Sequence, residues 1–165
     1  MAGTCSFDVV SDFDHQELVN AIDQLKREVE QRYDLKDSKT EIDLDENHLV
    51  ITTSSDMSLQ AVEAALRQKA TKRNLSLKIF DFQKPESSSG NRVRQKILLK
   101  KGLSQDIAKK LSKLIREKLK KINVSIQGDS LRITSKNKDD LQEVISILRS
   151  QEDNIELPLQ YQNYR

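Results

Sequence analysis

One order of elements occurs twice along this chain, and that repetition does most to limit what it can fold into. Ser6–Val10 reads as a short strand, and Asp14 then caps a helix, with Glu17 three residues on as the partner of a capping box. Leu18, Val19, Ile22, Leu25 and Val29 follow at helical spacing, and the helix fades near Tyr33. Thr40–Leu44 and Leu49–Thr53 alternate around the polar turn Asp45-Glu46-Asn47 as a hairpin. Ser55 or Asp56 caps a second helix bearing Leu59, Val62, Ala65 and Leu66, and Leu75–Phe82 supplies another strand. After the polar stretch Gln83–Asn91 the order recurs. Arg92–Leu99 is a strand, and Ser104 caps a helix with Ile107, Leu111, Leu114, Ile115 and Leu119. Ile122–Ile126 and Leu131–Thr134 form a hairpin through Gly128-Asp129, and Leu141, Val144, Ile145 and Leu148 mark a fourth helix. Ile155–Tyr161 is the last strand, and Pro158 assigns it to a sheet edge.

Strand-helix-strand-strand-helix-strand, twice, is the split β-α-β arrangement of ferredoxin-like folds, an α+β class. Each half is expected to form a four-stranded antiparallel sheet with two helices on one face, leaving the other face for a partner. The natural division is residues 1–84, a linker at 85–91 and residues 92–165, since Pro, Ser and Gly concentrate in QKPESSSGN. Element order leaves open whether the terminal strands stay in their own half or cross to the other. Ser6–Val10 is the strand most exposed to that ambiguity.

With 36% hydrophobic and 33% charged residues, the chain can build small cores. Its apolar runs, such as Ile97-Leu98-Leu99, are too short for a membrane helix. The first ten residues lack the pattern of a secretory signal. Cys5 is the one cysteine, so no internal disulfide forms and a reducing cytoplasm is the expected location.

Charge is unevenly distributed. Residues 1–89 carry 11 Lys+Arg against 17 Asp+Glu, whereas residues 90–165 carry 17 against 9. Such a gradient suits a polyanionic ligand on the second half. Two sets of cations stand out there. Arg94 and Lys96 alternate along one strand, and with Arg132 and Lys136 from the hairpin they are expected on an open sheet face as contacts for nucleotide phosphates. A slip of phase near Gln95–Leu98 is needed to turn Val93, Ile97 and Leu99 inward. Tyr161 is the candidate stacking ring of that site. On the third helix Lys109, Lys113, Arg116 and Lys120 are spaced 4, 3 and 4, a stripe able to follow a nucleic-acid backbone. Each set also has a plainer reading as a solvated, charged surface.

Nothing marks an enzyme. His15 and His48 are far apart without metal-ligand neighbours, and the glycines form no phosphate loop. Asp139 and Asp140 at a helix start are explained by the helix dipole. No catalytic residue, metal site or cofactor is expected.

Several stretches together resemble the YajQ family of bacterial nucleotide-binding proteins. They are Ser6-Phe7-Asp8-Val9-Val10-Ser11, Arg32-Tyr33-Asp34-Leu35-Lys36, Val93-Arg94-Gln95, Gln127-Gly128-Asp129 with Arg132-Ile133-Thr134, Asp139-Asp140-Leu141-Gln142, and Leu157-Pro158-Leu159-Gln160-Tyr161. The resemblance spans essentially the whole chain in order. It implies two ferredoxin-like domains and a nucleotide ligand, with cyclic-di-GMP, GTP or RNA as the ligands to expect. Where the family has Gly after the Lys of the second stretch, this chain has Asp37, which would repel phosphate and discounts a site at Arg32–Lys36. The rival reading is a protein-protein interaction module without a nucleic-acid ligand, acidic half against basic half. Salt dependence of ligand binding separates the two.

Overall fold

The structure, a computed structural model, describes residues 3–165; Met1 and Ala2 of the expected first domain lie outside that range. In chain order the elements are β1 (Cys5–Val10), α1 (His15–Gln31), β2 (Glu41–Leu44), β3 (His48–Thr53), α2 (Asp56–Lys72), β4 (Phe80–Phe82), β5 (Glu86–Ser88), β6 (Arg92–Leu99), α3 (Gln105–Lys118), β7 (Asn123–Gln127), β8 (Ser130–Ser135), α4 (Lys138–Ser150) and β9 (Gln160–Gln162). Local chemistry explains the helix starts. Asp14 accepts from the N–H groups of Gln16 and Glu17, Ser55 from Ser58, Ser104 from Ile107 and Asn137 from Asp139, so each side chain satisfies a donor that the first helical turn leaves unpaired. The Glu17 carboxylate is turned toward Asn20 and Arg73.

The α+β class and the antiparallel sheets are those the sequence implied. One sheet has the order β7-β8-β1-β9 and the other β2-β3-β6-β4, with β5 also pairing β6. Both match a ferredoxin-like sheet, but the strands are shared out differently from the expected halves. Phe7 of β1 lies opposite Ile133 of β8, and Val9 opposite Tyr161 of β9. Ile97 of β6 lies opposite both Leu49 of β3 and Phe82 of β4. The strand expected to open each half has therefore crossed to the other. The chain divides into a discontinuous unit, residues 1–12 with 101–165, and a continuous unit, residues 13–100. The first is a β-α-β-β-α-β unit interrupted after its first strand. The second is the same unit circularly permuted, its central strand supplied last.

This corrects the division at 85–91. Glu86–Ser88 is strand β5, its three residues paired with Arg94, Val93 and Arg92 of β6. The Pro-, Ser- and Gly-rich stretch is a hairpin inside the continuous unit, with Asn91 in the left-handed region at φ 60°. Pro85 falls where β4 gives way to β5, a break that suits a residue without an N–H.

Each unit has its own core. In the continuous unit Leu18, Ile22 and Leu25 of α1 and Leu59, Val62 and Leu66 of α2 pack on Ile42, Leu49, Ile51 and Ile97. In the discontinuous unit Leu111 and Ile115 of α3 and Leu141, Val144 and Leu148 of α4 pack on Phe7, Val9, Val124, Leu131 and Ile133. Two strands are shorter than expected. Leu75–Phe82 is extended only over Phe80–Phe82, because Leu77–Ile79 makes a 3-10 turn that leaves Leu77 exposed. Ile155–Leu159 runs outside the ladder with Ile155, Leu157 and Pro158 buried, and β9 begins at Gln160 on a sheet edge.

Candidate functional site

The open face of the continuous unit's sheet is built by strict alternation. Along β6, Val93, Gln95, Ile97 and Leu99 turn toward the helices while Arg94, Lys96 and Leu98 are exposed, so no slip of phase occurs. A polar Gln95 at an inward position creates the appearance of one. It is 4% exposed, and its amide donates to the Gln83 carbonyl at 2.9 Å, where β4 gives way to β5.

Register then fixes the neighbours of each cation. Arg94 lies opposite Thr52 on one side and Glu86 on the other, and Thr52 lies opposite Glu41. Lys96 lies opposite Val50, which lies opposite Asp43. Glu41, Asp43, Val50, Thr52, Ser88, Ser89, Arg92 and Arg94 line one open cavity of about 520 Å³. A second, of about 290 Å³, lies between Gln83, Lys84, Glu86, Arg94 and Lys96. Arg94 borders both. Arg92 is engaged in holding the fold, since its guanidinium donates to the carbonyls of Ser38 (3.2 Å), Lys39 and Thr52 (3.3 Å). Arg94 and Lys96 have no ion-pair partner among the described residues.

The face is chemically two-sided. One end offers a guanidinium and the hydroxyls of Thr52, Ser88 and Ser89, all donors to phosphoryl oxygens. The other offers the carboxylates of Glu41 and Asp43, acceptors for sugar hydroxyls or base N–H groups. Val50, only 8% exposed although it lies on the open face, makes an apolar floor between them.

Arg132, Lys136 and Tyr161 do not share this surface. They belong to the discontinuous unit, whereas Arg94 and Lys96 belong to the continuous one. Arg132 lies on the open face of its own sheet, where its Nε donates to Asp8 Oδ1 at 3.0 Å; Asp8 Oδ2 accepts from Asn163 Nδ2 at 2.9 Å. Burial would raise the Asp8 pKa, but those two hydrogen bonds and the charges of Arg132 and Arg165 outweigh it and hold the carboxyl below its ordinary range. Tyr161 lies in line with Val9, on the helix side of the sheet, edge-on to Phe7 at 6.0 Å and beneath Arg149. Half-buried there, it packs against the core, and its burial pushes the phenol pKa up. Lys136 is exposed just before α4.

The helix stripe survives in part. Lys109, Lys113 and Arg116 line one groove of about 380 Å³ with Ser112, Glu117 and Ile126. Lys120 lies beyond α3, which ends at Lys118, so it is not on the helical stripe. The Arg32–Lys36 segment is occupied by its own charges: Arg32 binds Asp34 through two 2.8 Å hydrogen bonds and also reaches Glu28.

Sequence reasoning missed Thr52, Glu41 and Asp43, although their alternation with Ile51 and Ile42 was available. It missed Ser88 and Ser89 because their stretch read as a linker. Asp8, a charged residue between Phe7 and Val9, was legible as an outward strand position, but its partner Arg132 lies 124 residues away.

Two ferredoxin-like units, one interrupted and one permuted, each an antiparallel sheet with helices packed on one face, define a class of small α+β proteins. Residues 5–165 match the family model described as nucleotide-binding protein YajQ-like, and the chain belongs to that family. It is 70% identical over its full length, and that of the relative, to a nucleotide-binding protein of Prochlorococcus marinus (strain MIT 9211). It is similarly 68% identical over both full lengths to a nucleotide-binding protein of Synechococcus sp. (strain CC9605). Another such protein, from Prochlorococcus marinus (strain MIT 9215), shares 58% over both full lengths.

Proposed function

We propose that this chain binds a nucleotide without turning it over, and that the ligand lies on the open face of the continuous unit. The observation that carries the reading is the cavity in which Arg94 and the hydroxyls of Thr52, Ser88 and Ser89 stand at one end and Glu41 and Asp43 at the other. Phosphate oxygens meet donors, and ribose or base donors meet carboxylates. Lys96 and Lys84 extend the positive end through the adjoining cavity. The names of the relatives support a nucleotide as the ligand class. Arg132, Lys136 and Tyr161 have no part in this site. The lone Cys5 suits a reducing cytoplasm.

The test is calorimetric titration of the full chain with cyclic-di-GMP, GTP, ATP and a short RNA, followed by Arg94→Ala with whichever ligand binds. A hydrogen bond to a charged group contributes roughly 1.5 to 3 kcal/mol, so affinity falls about tenfold to a hundredfold. The substitution is exposed, and stability stays within about 0.5 kcal/mol of the parent. Full affinity in the Arg94→Ala protein removes the site. Concentration-dependent self-association without any nucleotide affinity would favour the interaction module instead.

A further inference from the structure

The discontinuous unit carries a groove of different construction from the sheet-face cavity. β7 is an edge strand, so alternate backbone groups along it point away from the sheet. The Val124 carbonyl is one of these, and it accepts from Arg116 Nη2 at 2.8 Å. That bond fixes the guanidinium over the groove while its other N–H groups remain available. Lys109, Ser112, Lys113 and Arg116 are spaced 3, 1 and 3 along α3 and so share one face of the helix. The three cations face one carboxylate, Glu117, across about 380 Å³, and none of the three is ion-paired among the described residues.

Ser112 is the telling member. It is 4% exposed, and its Oγ has no hydrogen-bond partner among the described residues. A buried hydroxyl without a partner carries an unrecovered desolvation cost, and such groups call for a reason. Alanine at this position would avoid the cost and suit the helix better. An acceptor entering the groove, which Ser112 lines together with the three cations, would supply the missing partner. Phosphoryl oxygens meet every donor present: a hydroxyl, two ammonium groups and a guanidinium already held in place.

We infer that the groove between α3 and β7 is a second anion site that takes a phosphoryl group, with Arg116 and Ser112 as its direct contacts and Lys109 and Lys113 as its flanking charges. It is independent of the nucleotide reading above, because it lies in the other unit. The group can come from a small phosphorylated molecule or from a polynucleotide backbone, where neighbouring phosphates would reach both lysines.

The full-length protein, labelled with 15N, is titrated with inorganic phosphate and with a ten-nucleotide oligouridylate, against chloride at matched ionic strength. Phosphate is expected to shift the amides of Ser112 and Arg116 where chloride does not. Ser112→Ala should weaken phosphate about threefold to tenfold with a melting temperature equal to or above the parent's. Lys109→Gln with Lys113→Gln should weaken the oligonucleotide response at the Ser112 and Arg116 amides at least tenfold, and Arg94→Ala should leave the response of those two amides to either probe as in the parent. Tighter binding of the oligonucleotide than of phosphate identifies a polynucleotide backbone as the source. Equal affinity identifies a single phosphoryl group. Absence of these shifts with both probes, or parental phosphate affinity in Ser112→Ala, overturns the site. Loss of nucleotide binding in Arg94→Ala with an intact α3 response leaves this inference standing on its own.

Discussion

Cutting the chain at two different places measures the strand exchange directly. Division at the Pro- and Ser-rich stretch produces residues 1–84 and 92–165, each with four strands and two helices by sequence pattern. Division at the observed boundary produces residues 13–100. The fragment 92–165 lacks β1, hence the fully buried Phe7 and Val9, and the strand to which both β8 and β9 pair. Truncating a buried Phe alone costs about 3 to 5 kcal/mol. Losing Val9 adds roughly 1.5 to 3 kcal/mol, so the two side chains account for about 4.5 to 8 kcal/mol before any ladder hydrogen bond is counted. That is comparable with the whole stability of a small domain, about 5 to 15 kcal/mol. The fragment 1–84 lacks β6, which pairs with β3, β4 and β5 and contributes the fully buried Ile97. Residues 13–100 keep an entire core. Each fragment is expressed separately and followed by near-ultraviolet circular dichroism and urea denaturation. The 13–100 fragment should unfold in one cooperative transition, and 1–84 and 92–165 should show none. A cooperative transition in isolated 92–165, with an m-value fitting about 74 residues, would refute the exchange.

Three further outcomes follow from particular contacts. Gly102 has φ +83°, and a Cβ there would lie 2.5 Å from Asp129 Oδ2, so Gly102→Ala should destabilise by about 1 to 3 kcal/mol in urea, with partial recovery on adding Asp129→Gly. No recovery would mean that backbone strain alone is responsible. Asp8 has a depressed pKa in the folded state, so its pairing with Arg132 and Asn163 stabilises above the unfolded-state value near 3.9 and is lost as pH falls through the folded value. Asp8→Asn should therefore cost about 1 to 3 kcal/mol at pH 7 and progressively less below pH 4, and a constant difference across that range would exclude the linkage. On the open sheet face, Thr52→Val removes a hydroxyl beside Arg94 and should weaken nucleotide binding about threefold to tenfold, roughly 1 kcal/mol, as calorimetry would show.

What could be read from the sequence was what is decided locally. Helix starts follow from one side chain meeting an N–H two or three residues on, and Asp14, Ser55 and Ser104 all do this. The two hairpins follow from short turns between alternating strands. Partner choice between distant strands has no such local determinant. Phe7 and Val9 on one strand and Val93, Ile97 and Leu99 on another present interchangeable period-two faces, and either could have completed either sheet by pattern alone. Gln83–Asn91 misled for a related reason, since Pro, Ser and Gly mark a tight hairpin as readily as a linker. The site was legible to the same extent. Arg94 and Lys96 were placed on the open face by alternation, whereas grouping them with Arg132 and Tyr161 depended on a strand assignment that put all four in one unit, and they belong to two.

The exchange also removes the charge gradient that first suggested a polyanion. Residues 1–12 with 101–165 carry 13 Lys+Arg against 11 Asp+Glu, and residues 13–100 carry 15 against 15. Neither unit presents a large net charge, so long-range steering is weak and any anion must be held by local contacts. This makes salt dependence quantitative. If an oligouridylate engages only Lys109, Lys113 and Arg116, three neutralised phosphates release counterions at about 0.7 per contact on a single strand, a slope of log K against log salt of about −2. If the whole basic run Arg92–Lys121 acted as one surface, its 12 cations would give a slope of about −8. Strand β6 and helix α3 belong to different units, and the smaller value is the expected result. Titrations between roughly 50 and 300 mM salt distinguish the two, and a slope steeper than about −5 would mean that the cations act together and that local contact is the wrong basis for binding.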